Sequence, residues 1–299
     1  MDAVIRAEGL VKTFGRTRAL DGLDLKVGAG EVHGFLGPNG AGKSTTIRVL
    51  LGMLRAKGTA TVLGQDAWRD SVAIHRRIAS VPGDVVLWPN LSGGETIDLL
   101  TRLRGGADPE LRRRLLDDLR LDPRVKARAY SKGNRQKVAL VAAFARRADL
   151  YVLDEPTSGL DPVMEEVFRA EVRRVRGEGA AVLLSSHILD EVEQLCDRVT
   201  IVRSGRTVET GTLAELRRLT RTRFRIATGT APARIAAVEG VHDVVADSGH
   251  LTFDVETVAI PAVLAVLSGA DVTALTAEPP SLEELFLRQY GADRSRVDS

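Results

Sequence analysis

One stretch constrains the fold more than any other. Gly37-Pro38-Asn39-Gly40-Ala41-Gly42-Lys43-Ser44 matches the pattern G-x-x-x-x-G-K-S in full. A short apolar run, Val32 to Leu36, precedes it and reads as a buried strand; a helical pattern from Lys43 to Leu54 follows. A strand feeding a helix through a glycine-rich loop belongs to α/β domains with a largely parallel sheet. Glycines let successive backbone N–H groups turn inward around an anion. The helix N-terminus adds positive potential. Lys43 sets an ammonium between the outer phosphates of a bound nucleotide, Ser44 offers a hydroxyl to Mg²⁺, and Thr45 offers a further donor.

A second element supports the first. Leu150-Tyr151-Val152-Leu153-Asp154-Glu155 is an apolar run ending in two carboxylates. Alone it would be an ordinary acidic turn after a strand. Paired with the phosphate loop, Asp154 is expected to hold Mg²⁺ through water and Glu155 to orient and polarise an attacking water.

Composition narrows the remaining choices. Lys plus Arg is 42 and Asp plus Glu is 40, so no basic balance points to nucleic acid. Arg112-Arg113-Arg114 lies in a helical pattern and reads as a solvated face. Cys196 is the single cysteine, which excludes an intramolecular disulfide; its apolar neighbours at helical spacing predict a buried thiol. No run approaches the roughly 18 apolar residues of a membrane span, and the polar first residues do not read as a secretory signal. Any work at a membrane would need another polypeptide to do the spanning.

Residues from Val4 to about Ser204 read as alternating strands and helices, with buried-strand runs at Leu150–Leu153 and Ala181–Ser185. Between about Leu91 and Arg147 helix patterns dominate, as a helical insert. The first domain is therefore placed at 1–215. In the second, 216–299, strand patterns at Phe224–Ala227, within Val241–Val255 and at Val272–Leu275 alternate with helical ones at Ala231–Val238 and Pro261–Leu267. That β-α-β-β-α-β order suggests a small, ferredoxin-like α+β unit whose hairpin turns at Asp247-Ser248-Gly249. Pro279-Pro280 punctuates it, and Ser281 is expected to cap a last helix running to about Tyr290.

Further motifs make the pattern specific. Pro156-Thr157-Ser158-Gly159-Leu160-Asp161 follows the carboxylates directly. Ser185-Ser186-His187 follows the next strand. Tyr130-Ser131-Lys132-Gly133-Asn134-Arg135-Gln136 opens a helix leading into the Asp154 strand, and Phe14 ends a strand-like start. In this combination the chain, over about residues 4 to 210, resembles the ATP-binding subunits of ABC transporters: an α/β P-loop NTPase core with a helical insert, here followed by a small α+β domain. The resemblance implies ATP and Mg²⁺ as ligands, with Phe14 stacking on adenine. It implies two such domains closed head to tail as a homodimer, Ser131 and Gly133 reaching the γ-phosphate held by the partner, Asp161 crossing the interface, and His187 contacting the γ-phosphate and Glu155. It further implies a separate integral-membrane permease, a cytoplasmic position on the inner face of the membrane, and no nucleic-acid partner. The tail Pro280 to Phe286 resembles drug-export members with an extra C-terminal domain, which implies export of a drug-like or hydrophobic compound.

Two features depart from that pattern. Leu91-Ser92-Gly93-Gly94-Glu95 looks more like the family's signature than Tyr130 to Asn134 does, but it lies at the start of the insert, where Ser92 and Glu95 suit a capping box. The signature at Ser131 carries Lys132 for a glycine and Asn134 for a glutamine. The glutamine expected after the strand ending Ser80-Val81-Pro82 is absent, Gly83-Asp84 standing there and Gln65 lying too early; Asp84, or water, is expected to take its role at the metal. A soluble ATPase acting on DNA or ribosomes fits less well, because one phosphate loop stands alone and no sustained heptads are present. A regulatory module with little turnover conflicts with the intact Lys43, Asp154, Glu155 and His187.

Overall fold

The computed structural model describes residues 3–218, 221–228, 232–247 and 249–278. The chain divides into two compact units, 1–210 and 211–299. Pro279-Pro280 and the expected final helix lie outside the described residues, as does Ser248 of the expected hairpin turn.

The first unit runs β1 (Ala3–Phe14), β2 (Thr17–Gly28), β3 (Val32–Leu36), α1 (Lys43–Leu50), β4 (Lys57–Val62), β5 (Gln65–Asp66), α2 (Ser71–His75), β6 (Ile78–Val81), α3 (Gly93–Arg102), α4 (Pro109–Asp118), α5 (Lys132–Phe144), β7 (Leu150–Asp154), α6 (Pro162–Gly177), β8 (Ala181–Ser186), α7 (Leu189–Leu195), β9 (Arg198–Arg203) and β10 (Arg206–Thr212). Its larger sheet has the order β10-β9-β3-β8-β7-β6. Strands β9, β3, β8, β7 and β6 pair in parallel. Every residue of β3, β7 and β8 is buried, which explains their unbroken apolar runs. In a parallel sheet the carboxyl ends share one edge, so the turns after β3, β6, β7 and β8 leave from the same side.

A second sheet, β2-β1-β4-β5, is antiparallel and was not foreseen from the alternating strand and helix pattern. Leu20, Leu23, Leu25 and Val27 bury one face of β2 while the residues between them stay wetter. Together with Ile5, Leu10 and Val62 they pack on Phe35, Ile47, Leu50, Val152 and Leu183, so the main core lies between the two sheets with α1 inside it. α1 ends at Leu50, short of the expected Leu54. Gly52 takes φ +65°, and a Cβ there would meet the Ala67 carbonyl oxygen at 2.4 Å, so the chain turns where only glycine fits.

The insert between β6 and β7 is helical, as the sequence implied, with α5 held on β7 and α6 by Phe144 stacked on Tyr151 (5.1 Å) and edge-on to Phe168. The arginine run is more than a solvated face. Arg114 makes paired hydrogen bonds to the buried carboxylate of Glu171 on α6, at 2.6 and 3.0 Å, and Arg112 bonds Asp98 on α3. Cys196 is buried, as expected, and burial pushes its thiol above the usual range.

The second unit contains α8 (Leu213–Arg218), β11 (Arg221–Thr228), α9 (Pro232–Ala236), β12 (Val241–Asp247), β13 (His250–Glu256), α10 (Ile260–Ser268) and β14 (Val272–Glu278). From β11 onward this is a β-α-β-β-α-β succession, with an antiparallel sheet of order β12-β13-β11-β14. Phe224, Ile226, Phe253 and Val255 form its core with Ile235, Val263 and Leu267 of the helices.

Candidate nucleotide site

The loop between β3 and α1 is shaped by its glycines. Gly40 and Gly42 adopt φ +81° and +108°, and a Cβ on Gly37 would lie 2.5 Å from the Val202 carbonyl oxygen. The loop thus lies closely against β9 while its amides are free to converge. Lys43 is 4% exposed, and its Nζ donates to the Gly37 and Pro38 carbonyl oxygens at 2.5 and 3.3 Å. Burial holds its pKa below the usual lysine range, and the neighbouring Glu155 offsets part of that shift. Ser44 is exposed and Thr45 half-buried at the start of α1. Their position gives an anion both the helix N-terminus and the ammonium.

The acidic pair stands opposite. Asp154, 5% exposed, accepts a hydrogen bond from the Ser185 hydroxyl through Oδ1. The Glu155 amide donates to the Ser185 carbonyl oxygen at 3.1 Å, with the backbone at φ +46°. That unfavourable conformation turns the Glu155 side chain toward the phosphate loop. Its Oε1 lies 3.6 Å from Lys43 Nζ and 3.3 Å from His187 Nδ1. One carboxylate therefore meets residues delivered by β3 and by β8.

Asn39, Ser44, Asp84, Asp154 and Glu155 line a common cleft of about 550 Å³. Its donors are hydroxyl and carboxylate oxygens, which suit Mg²⁺. No group of three or more His, Cys, Asp or Glu side chains could hold a metal among the described residues. A Cβ on Gly83 would lie 3.2 Å from Asp154 Oδ2, so a side chain at this position would point at the acidic pair. Asp84 is exposed and lines the cleft, whereas Gln65 lies in β5 of the antiparallel sheet and does not.

The signature and its followers occupy a separate place. Ser131 caps α5, its Oγ accepting from the Asn134 amide. Lys132 Nζ donates to Ser158 Oγ at 2.9 Å, and a Cβ on Gly133 would lie 2.5 Å from the Gly159 carbonyl oxygen. Asp161 caps α6, accepting from the Val163 and Met164 amides at 3.0 Å. Neither Ser131 nor Gly133 lines the cleft. Ser92 caps α3 with Glu95 closing the box. Phe14 is exposed at the end of β1, with Lys12 Nζ 5.2 Å from its ring centre.

Three contributors gain no role of their own from the sequence, although Ser185 and Gln136 stand inside its motifs. Ser185 tethers Asp154, Gln136 Nε2 donates to the Pro156 carbonyl oxygen at 2.7 Å, and Glu191 backs the His187 turn. A polar residue ending an otherwise apolar strand is the signal that finds Ser185; Gln136 and Glu191 lie in polar helix starts that carry no such signal.

The family model for the ABC transporter domain matches residues 20–158, and that for the C-terminal domain of DrrA1-3-like ATP-binding proteins matches 211–290. The daunorubicin resistance ATP-binding protein DrrA3 of Streptomyces coeruleorubidus is 35% identical over 98% of both chains. The chain belongs to the ATP-binding subunits of ABC transporters. The daunorubicin/doxorubicin resistance ATP-binding protein DrrA of Streptomyces peucetius is 42% identical over 71% of this chain and 66% of its own length. A solved ATP-binding subunit of an ABC transporter superposes with TM-score 0.67 at 32% identity, covering 72% of this chain and 92% of that one. This ABC ATPase subunit binds and hydrolyses ATP to power a separate membrane permease. No described helix is long and apolar enough to cross a membrane.

Proposed function

We propose that this subunit powers export of a drug-like or hydrophobic compound from the inner face of the membrane, working as a head-to-tail homodimer. The observation that carries the site reading is the placement of Glu155 within ion-pair distance of both Lys43 and His187, beside Asp154. Gly37 to Thr45 bind the phosphates of ATP, Phe14 supports its base, and Lys43 neutralises the outer phosphates. Mg²⁺, when bound by Ser44 and Asp154 with Asp84 facing the same cleft, supplies charge neutralisation for phosphoryl transfer. Glu155 orients the water and accepts its proton, and His187 steadies Glu155 and the phosphate end.

Ser131 and Gly133 do not line the cleft of their own copy. This supports their use by the partner-bound nucleotide, with Asp161 at the interface. The drug-export reading rests on the relatives, whose names describe daunorubicin resistance. Expressed with its permease in a sensitive host, the subunit is expected to lower accumulation of an amphipathic aromatic drug. Lys43→Ala is expected to abolish that protection and ATP turnover together. Protection that survives Lys43→Ala contradicts the motor assignment; turnover without any protection contradicts the substrate class.

A further inference from the structure

Behind the site a single carboxyl group meets two catalytic turns. Glu191, in the first turn of α7, is 5% exposed. Its Oε2 accepts a hydrogen bond from Ser186 Oγ at 2.6 Å, and Ser186 Oγ accepts from the Ile188 amide at 3.0 Å. Ser186 immediately precedes His187, so this network shapes the turn that carries the histidine. The Thr157 side chain, itself 6% exposed, faces the same carboxyl from the other turn. That turn is short and internally bonded, with Ser158 N donating to the Glu155 carbonyl oxygen and Leu160 N to that of Thr157. It therefore carries Glu155 at one end and Asp161 at the other.

One atom in this arrangement is incomplete. Glu191 Oε1 is buried and has no hydrogen-bond partner. Buried acceptors without donors are rare in folded proteins and call for a reason. The Thr157 hydroxyl, on the opposite turn, already interacts with this carboxyl, in a geometry short of a full hydrogen bond to Oε1. The charged groups facing Glu191 are Glu165 and Arg169 of α6, and burial raises its carboxyl above the usual range.

We propose that Glu191 is a positioning residue that locks the His187 turn to the Glu155–Asp161 turn, its Oε1 taking the Thr157 hydroxyl when two subunits close. The inference rests on the head-to-tail reading above. Such a strut couples the residue that steadies Glu155 to the segment that senses the partner. Neither Glu191 nor Thr157 lines the nucleotide cleft.

A double-mutant cycle on ATP turnover tests it. Thr157→Val and Glu191→Ala are each expected to lower kcat on the order of tenfold, with KM for ATP changed less than about twofold. The double variant is expected to be no worse than Glu191→Ala alone. Glu191→Gln is expected to retain most of kcat, because its amide can accept from Ser186 and donate to Thr157. Multiplying losses in the double variant, or a Glu191→Gln protein as slow as Glu191→Ala, would overturn the proposal. Should Glu191→Ala fail to fold, Thr157→Ser against Thr157→Val decides: only the valine variant is expected to be slow, and equal rates contradict the strut. A second readout is hydrogen exchange in the Glu155→Gln background. ATP is expected to protect residues 156–161, and Thr157→Val to remove that protection; protection that persists contradicts the strut. A Glu155→Gln protein that stays monomeric at saturating ATP would count against the head-to-tail reading, and the kinetic cycle would still decide on Glu191.

Discussion

Glu155→Gln should do more than stop hydrolysis: it should make the nucleotide-free protein less stable and more responsive to ATP. Lys43 is 4% exposed and its ammonium lies 3.6 Å from Glu155 Oε1. At an effective dielectric of 20, a unit charge pair at that distance is worth about 4.6 kcal/mol before desolvation. The Glu155 side chain keeps 27% of its exposure, Asp154 remains near the ammonium, and glutamine can still accept a hydrogen bond. Those offsets bring the net loss to roughly 1–2 kcal/mol, the range for a partly screened pair that keeps some of its contacts. For a unit of this size that is a fall of roughly 2–8 °C in the unfolding midpoint. ATP returns negative charge to Lys43, so its stabilising effect should exceed that seen in the unsubstituted protein. Differential scanning fluorimetry with and without ATP and Mg²⁺ measures both shifts. A nucleotide-free midpoint equal to or above that of the unsubstituted protein would refute the idea that Glu155 is the main counter-charge of Lys43.

Gly133→Ala should destabilise the first unit by about 1–3 kcal/mol, because the new Cβ would lie 2.5 Å from the Gly159 carbonyl oxygen; an unchanged thermal midpoint would show that α5 and the Ser158–Asp161 turn part freely. Asp84→Ala should weaken Mg²⁺ binding, read as a several-fold higher Mg²⁺ requirement for turnover, and an identical Mg²⁺ titration would remove Asp84 from the site. Glu191 has a folded-state pKa raised by burial. Its contribution is therefore full below the unfolded glutamate value of about 4.3 and lost as pH rises through the folded value. Glu191→Gln should accordingly melt above the unsubstituted protein at pH 7.5, with the gap closing below about pH 4; a gap independent of pH would place the ionisation elsewhere.

The most legible parts of the chain were those where chemistry and local structure coincide. Gly37 to Ser44 and Leu150 to Glu155 are contiguous, each pairing an all-buried strand with the turn that carries its function, so period and composition sufficed. The β-α-β-β-α-β order of the second unit was readable because short strands and helices alternate between clear turn residues. The antiparallel sheet was not, since β1 and β2 pair with several register shifts that blur the two-residue alternation. The end of α1 was overrun because Leu51 and Leu54 continue a helical pattern while Gly52 breaks the backbone. What no local pattern could show is contact between distant segments: Gly133 against Gly159, Gly83 facing Asp154, and Glu191 bonded to Ser186 with Thr157 facing it. The degenerate signature was assigned by its position before β7; the match at Ser92 to Glu95 forms the expected capping box of α3.

In the head-to-tail arrangement proposed above, the phosphate loop is half of a site completed by a second copy. Asn39 lines the cleft and is exposed, Ser131 is exposed at the start of α5, and the native Cys196 is buried. An Asn39→Cys/Ser131→Cys protein therefore offers two reactive thiols, which can bridge only where their Cα atoms come within about 7 Å. Under mild oxidation with ATP and Mg²⁺, the head-to-tail account predicts a disulfide-linked dimer on a non-reducing gel, absent without nucleotide and absent in either single variant. A protein that stays monomeric with ATP, or links equally well without it, would contradict a nucleotide site shared between two copies.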